Sequence, residues 1–297
     1  MVSRILPKLG LSLMPEKDYL EASYFLFESG EVDILEWSFD MCWGKPIPQR
    51  CMDLLQRYSA NGNLLGHGVS FSLLTAKSTR RQELWLQYLK KEIRQFNYQK
   101  ITEHFGFLTT EQFIQGAPLS MPFIPQLLEI GINNLKRIQQ IAQVPIGLEN
   151  LGFAFSRQDV IEQGHFISAL LEAVDGFLLL DIHNVYCHML NFDMSFEEIL
   201  ETLPVHRIKE LHISGGDFRA IRHEDRSIYC DSHDKAIPQE LFLLLEKNLP
   251  KILPLEVIIF ERMGNTLSSA LEVGQFCEDF AQLKYLVKKV TDETYNK

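Results

Sequence analysis

The chain has 297 residues, 46% hydrophobic and 23% charged, and its 29 Lys and Arg against 39 Asp and Glu give a net charge of −10. That is the composition of a folded globular protein whose core needs no disulfides, and a negative surface makes nucleic acid a poor partner. Cys42, Cys51, Cys187, Cys230 and Cys277 are odd in number and include no CxxC pair, which points to reduced thiols and a cytoplasmic protein. No apolar run reaches the length of a membrane span, and Pro7 and Lys8 interrupt the N-terminal one before it resembles a signal peptide.

Short apolar runs recur along the chain at 9–13, 32–37, 64–71, 101–107, 144–150, 176–181, 208–214 and 255–261. They are continuous rather than alternating, as strands covered on both faces are. Helical patterns lie between most of them. Residues 79–96 place Trp85, Leu89, Ile93 and Phe96 on one stripe, and 125–142 places Leu128, Leu135, Ile138 and Ile141 similarly behind Pro125. Ser156 is a candidate N-cap, Ser195 with Glu198 has capping-box spacing, Pro238 opens another helix, and the last helix spans about 266–290. This alternation predicts a single-domain (β/α)8 TIM barrel over residues 1–297. An open doubly wound sheet is the alternative, but no G-x-G-x-x-G or P-loop follows any strand. The segment 214–238 reads as one long irregular loop, the kind that carries function.

A barrel enzyme takes its chemistry from the C-terminal ends of its strands. From the third strand onward those ends carry His67, His104, Glu149, Asp181, His212 and Glu261; Asn184 follows Asp181 by three residues, and the long loop adds Asp231 and His233. A lone histidine of this kind is usually a core residue bonded to backbone, and a lone carboxylate usually has an ion-pair partner. Few Arg or Lys lie near these termini, Arg262 and Lys209 being the nearest in sequence. Imidazoles and carboxylates meeting at one rim then point to bivalent cations. Mixed nitrogen and oxygen donors without thiolate suit iron, manganese or zinc, and nine donors suffice for two or three ions.

The motifs "HGVSFS", "TEHFGF", "LEN", "LDIHNVYCHMLNF", "ELHISGG", "DSHD" and "IIFER" stand in the order and spacing of the multinuclear non-haem iron-dependent oxidative enzymes (MNIO), and over about residues 32–265 the chain resembles that family, which includes the oxazolone-forming enzyme of methanobactin biosynthesis. The resemblance implies a barrel holding two or three irons of mixed Fe(II)/Fe(III) valence. It implies O2 as co-substrate, oxidation of a residue, often cysteine, in a ribosomally made precursor peptide, and a separate leader-recognition protein. By motif, His67, His104, Glu149, Asp181, Asn184, His212, Asp231, His233 and Glu261 correspond to metal ligands. Glu149, Asp181 and His212 are read as the catalytic core. The chain departs from the family pattern at His183, where asparagine is common and where an outward-facing side chain is expected here, and at Gly216 and Met263. Three other readings of the same residues stay open: a divalent-metal sugar isomerase, a trinuclear zinc phosphodiesterase of the endonuclease type, and a non-catalytic metal- or peptide-binding protein.

Overall fold

The computed structural model describes residues 7–221, 225–252 and 255–295. Eight parallel strands close into a barrel: β1 (Lys8–Leu13), β2 (Ile34–Trp37), β3 (Leu64–Gly68), β4 (Tyr98–His104), β5 (Ile146–Glu149), β6 (Phe177–Asp181), β7 (Ile208–Ile213) and β8 (Val257–Phe260), each beside its sequence neighbours and β8 beside β1. Each of the eight apolar runs overlaps one of these strands, although β1 and β4 begin before the runs 9–13 and 101–107, at Lys8 and Tyr98.

Helices fill the connections, and their starts follow local chemistry. Thr79 and Gln82 form a capping box on Arg80–Gln95, Ser156 accepts from the Asp159 N–H on Arg157–Val174, and Ser195 with Glu198 caps Phe196–Leu200. On Pro125–Ala142 the buried stripe is Leu127, Leu135, Ile138 and Ala142, one position off the expected Leu128 and Ile141, which are only half-buried. The C-terminal helix is Ala270–Tyr295.

Side chains alternate between the barrel interior and the helix layer, so residues two apart share a direction. Ile34, Leu65, Val257 and Ile259 form a small apolar cluster separate from the main core, which is the interior floor. Counting in twos from this floor gives Glu36, His67 and Glu261. The ladder carries the same parity around the barrel: Ile259 pairs with His212, His212 with Asp181, Glu149 with His104, and Glu149 with Leu179, two residues below Asp181. All six strand-end residues therefore point inward because they share one parity, at staggered heights, with Glu36, which pairs with Leu65, below His67. Beyond the mouth lie two antiparallel hairpins, Phe107–Thr109 with Ile114–Leu119 and Asp217–Ala220 with Ser227–Cys230. The second corrects the reading of 214–238 as irregular: Phe218 and Tyr229 pair across it, although residues 222–224 lie outside the described residues.

Candidate metal centre

Three groups of donors meet at the barrel mouth. In the first, Glu149 Oε2 lies 2.8 Å from His104 Nε2 and 3.3 Å from His67 Nε2, and the two ring nitrogens are 3.2 Å apart. His67 Nδ1 is 2.9 Å from Thr102 Oγ1, so the ring is anchored by one nitrogen and offers the other. The turn after His67 is clamped by Asp40, whose carboxylate accepts the N–H groups of Val69 and Ser70 and the Trp85 indole.

The second group joins Glu149, Asp181, His212 and Glu261, all buried. His212 Nδ1 lies 3.1 Å from Glu261 Oε2 and 3.8 Å from Glu149 Oε1, while its Nε2 lies 2.9 Å from Glu36 Oε2. Glu36 thus orients the ring from the layer below. Asp181 ends β6 and caps the helix Ile182–Phe192: its Oδ1 accepts the Asn184 N–H at 2.7 Å, leaving Oδ2 directed elsewhere. Asn150 accepts the Asp181 N–H and donates to its carbonyl, locking the ends of β5 and β6 together. Asn184 donates to the Asn150 carbonyl at 2.9 Å, which keeps its Oδ1 as a free acceptor. Gly152 is required beside it, because a Cβ there would stand 2.3 Å from that oxygen.

The third group comes from the long loop. Asp231 Oδ1 lies 2.5 Å from His233 Nε2 and 2.9 Å from His183 Nδ1. The expectation that His183 faces outward is wrong: the side chain is fully buried, with its ring against those of Tyr229 and His233. The helix cap at Asp181 sets this, since the first turn it starts carries residue 183 under the second hairpin.

The residues fit bound cations. Glu149 Oε2, Asp181 Oδ2, Asn184 Oδ1, His212 Nδ1, His233 Nε2 and Glu261 Oε2 are all buried without a hydrogen-bond partner among the described residues, and leaving such atoms unmatched is costly. The electrostatics agree. Burial, reinforced by Asp231, Glu149 and Glu261, holds the Asp181 carboxyl well above the usual range. Glu261 is driven down to about 2, where burial is outweighed by His212 and His233, and burial pulls His67 down to about 4. The neighbouring carboxylates hold His212 and His233 well above the usual imidazole range against burial, so the acids already draw positive charge into the site, which a bound cation would supply in place of those protons. Arg262 does not neutralise them; it bonds to Thr266 instead. Lys209 pairs with Glu256.

Alongside the three groups lies a cavity of about 630 Å³, lined by His104, Asn184 and Asp231 together with Phe153, Phe218 and Tyr229 among others. Cys230 also lines it, while Cys187 is fully buried; burial raises both thiols, away from the reactive thiolate form.

Residues 26–274 match the family model described as RiPP precursor modification enzyme MbnB/TglH/ChrH, where a RiPP is a ribosomally made, modified peptide. The chain belongs to this family. Among its relatives are a UPF0276 protein of Caulobacter vibrioides, 24% identical over 84% of this chain and 85% of that one, and a UPF0276 protein of Acaryochloris marina, 25% identical over 69% and 72%. Solved structures share the architecture. A xylose isomerase domain-containing protein from Salmonella typhimurium aligns over 95% of this chain and 97% of its own at 15% identity and a TM-score of 0.59, and the IOLI protein with a zinc atom over 97% and 99% at 15% and 0.56. At such identity these likenesses establish the barrel and nothing finer.

The family match covers all nine residues singled out at the strand ends and in the loop. The structure brings them together in the three groups, Asn184 reaching them through Gly152 and Asp231. Sequence reading passed over Glu36, Asn150 and, in part, His183. Glu36 was legible by parity, two residues after the floor residue Ile34 in a fully buried strand. Asn150 gives no such signal, because its role is a backbone clamp.

Proposed function

We propose that this chain catalyses an iron- and O2-dependent oxidative modification of a residue, most simply a cysteine, in a ribosomally made precursor peptide. Membership of a family of RiPP precursor modification enzymes supports the peptide substrate. The observation that carries the reading is the cluster of buried, unpartnered nitrogen and oxygen donors opening onto an aromatic cavity large enough for peptide side chains. His67, His104 and Glu149 would hold one ion, and Glu149, Asp181, His212 and Glu261 a second, with Glu149 common to both. Bound iron would supply Lewis acidity and electrons for the reaction with O2.

The remaining work falls to the protein. Thr102 and Glu36 fix the ring orientations of His67 and His212. Asn150 holds Asp181 at its strand end. Phe153, Phe218 and Tyr229 take up apolar substrate surface and keep water from the reacting residue. The reading includes a separate protein that binds the leader of the precursor.

The test is to purify the chain without air, load it with ferrous iron, and follow O2 uptake and peptide mass with any short cysteine-bearing peptide that reading the neighbouring genes brings to light. O2 consumption with a mass change of the peptide is expected. Turnover of a sugar in the absence of O2 with manganese or magnesium would instead establish an isomerase, and metal retention without turnover a binding protein.

A further inference from the structure

We propose that Trp85, Trp43 and Tyr88 form an electron-transfer path from the strand-end donors to the surface, by which the protein discharges an oxidised metal centre when no peptide is bound. This rests on the oxidative reading above and adds a protective activity to it. The path begins beside His67. On the same strand Gly66 and Gly68 have the opposite parity and face the helix layer. A Cβ at Gly68 would stand 3.0 Å from Trp85 Cζ2, and one at Gly66 would stand 3.0 Å from Tyr98 Cδ1 and 3.1 Å from Phe39 Cε1. Glycine thus lets rings close onto the backbone on both sides of a candidate ligand. The ring of Trp43 lies 5.5 Å from that of Trp85 and stacks on Tyr88 at 5.4 Å, with 29° between the planes. Trp85 and Tyr88 sit one turn apart on the helix Arg80–Gln95, and Trp43 closes between them from the segment after β2. Trp85 is buried and Tyr88 is 41% exposed, so three rings in contact lead from the backbone of β3 to solvent.

The chemistry of these rings suits the task. Indole and phenol are among the side chains that give up an electron most readily, and two of the chain's three tryptophans are here. Each of the two indole N–H groups donates to a carboxylate, Trp85 to Asp40 at 2.8 Å and Trp43 to Glu92 at 3.0 Å. Glu92 also accepts the Tyr98 hydroxyl at 2.8 Å, which fixes it in place. A negative oxygen opposite the N–H stabilises the cation left when an indole loses an electron. In the step proposed, Trp85 gives one electron to the oxidised iron, which is reduced by one. Trp43 refills Trp85, Tyr88 refills Trp43, and the phenol releases its proton to water. A soluble thiol then returns a hydrogen atom to the Tyr88 radical, and two thiols so oxidised join as a disulfide.

The experiment has two arms. In the first, the full chain is loaded with zinc, which undergoes no redox change, and its tryptophans are oxidised by azide radicals in pulse radiolysis. Decay of the indole radical into a tyrosyl radical is expected at a rate independent of protein concentration. Tyr88→Phe keeps the ring and removes only the hydroxyl, and it is expected to lose most of the tyrosyl signal. Absence of the transfer in the wild type, or an equal signal in Tyr88→Phe, overturns the path. This arm needs no iron, so its outcome is separate from that of the oxidative reading. In the second arm, iron-loaded wild type, Tyr88→Phe and Trp43→Phe are exposed to O2 without peptide, and oxidised residues are located by mass spectrometry. Oxidation of His67 and His104 is expected to rise in both variants, and added thiol is expected to suppress it in the wild type only. Equal oxidation of the two histidines in all three chains overturns the protective role. An iron-loaded wild type that consumes no O2 overturns the oxidative reading, and the protective role falls with it.

Discussion

The donors that end the barrel strands and those delivered by the loop after β7 reach the same place by different means. Glu149 and His212 are fixed by parallel ladder partners on both sides, His67 and Asp181 by one, all four by inward parity, and buried partners such as Thr102, Asn150 and Glu36 set their orientation. Asp231 and His233 have no ladder. They follow a two-stranded hairpin, and a single backbone bond from the Met263 N–H to the His233 carbonyl ties them to the segment after β8. A rigid scaffold places the first set whatever the loop does, so the loop set can be lost without the other.

The largest effect should come from Glu149, which is common to the first two groups. Glu149→Ala is expected to remove most bound metal and nearly all activity, read by elemental analysis and O2 uptake; a variant with full metal content would break the assignment of the strand-end set. Asp231→Ala should cost less, with part of the metal lost, the strand-end ions kept and the barrel still folded by circular dichroism. Loss of all metal from it would show that the two sets are one.

Glu36→Gln keeps the shape but weakens the acceptor for His212 Nε2, and metal affinity should fall by about tenfold or somewhat more, measured by competition with a chelator. Unchanged affinity would mean that Glu36 does not orient the ring. Ile259→Ala, on the floor, should cost about 2–5 kcal/mol of stability through the cavity it leaves while metal per chain stays constant, which separates floor from site.

The smallest effect concerns pH. His188 donates to the Leu151 carbonyl at 2.7 Å, and burial pulls its pKa down to about 4. The folded chain keeps this ring neutral while the unfolded chain protonates it near 6.5, so stability is present above that value and is lost as pH falls towards 4. Between pH 7 and 5 this amounts to roughly 2 kcal/mol. Urea titrations should show a slope that His188→Asn flattens; an equal slope in both proteins would remove His188 as its source.

Much of this was legible in the sequence, for a reason that also marks the limit. The barrel followed from eight buried runs separated by capped helices, and six donors followed from asking what stands at the end of each run. Where a side chain acts by its own chemistry at a predictable place, sequence exposes it. Glu36 escaped because it lies one layer below the mouth, and His183 because its direction depends on the helix that Asp181 starts, which no periodicity announces. The hairpin at Asp217–Cys230 escaped because its first strand, Asp217–Ala220, is only four residues long and exposed throughout, so it makes no buried apolar run.

The shared parity of the strand-end residues limits how this chain can diverge. One residue inserted within β7 below His212 would turn that imidazole out to the helices and bring Leu211 in, since the sheet repeats every two residues. Descendants of this protein can therefore lengthen, trim or exchange the hairpins at the mouth and so change what they accept, but length changes inside the strands break the centre.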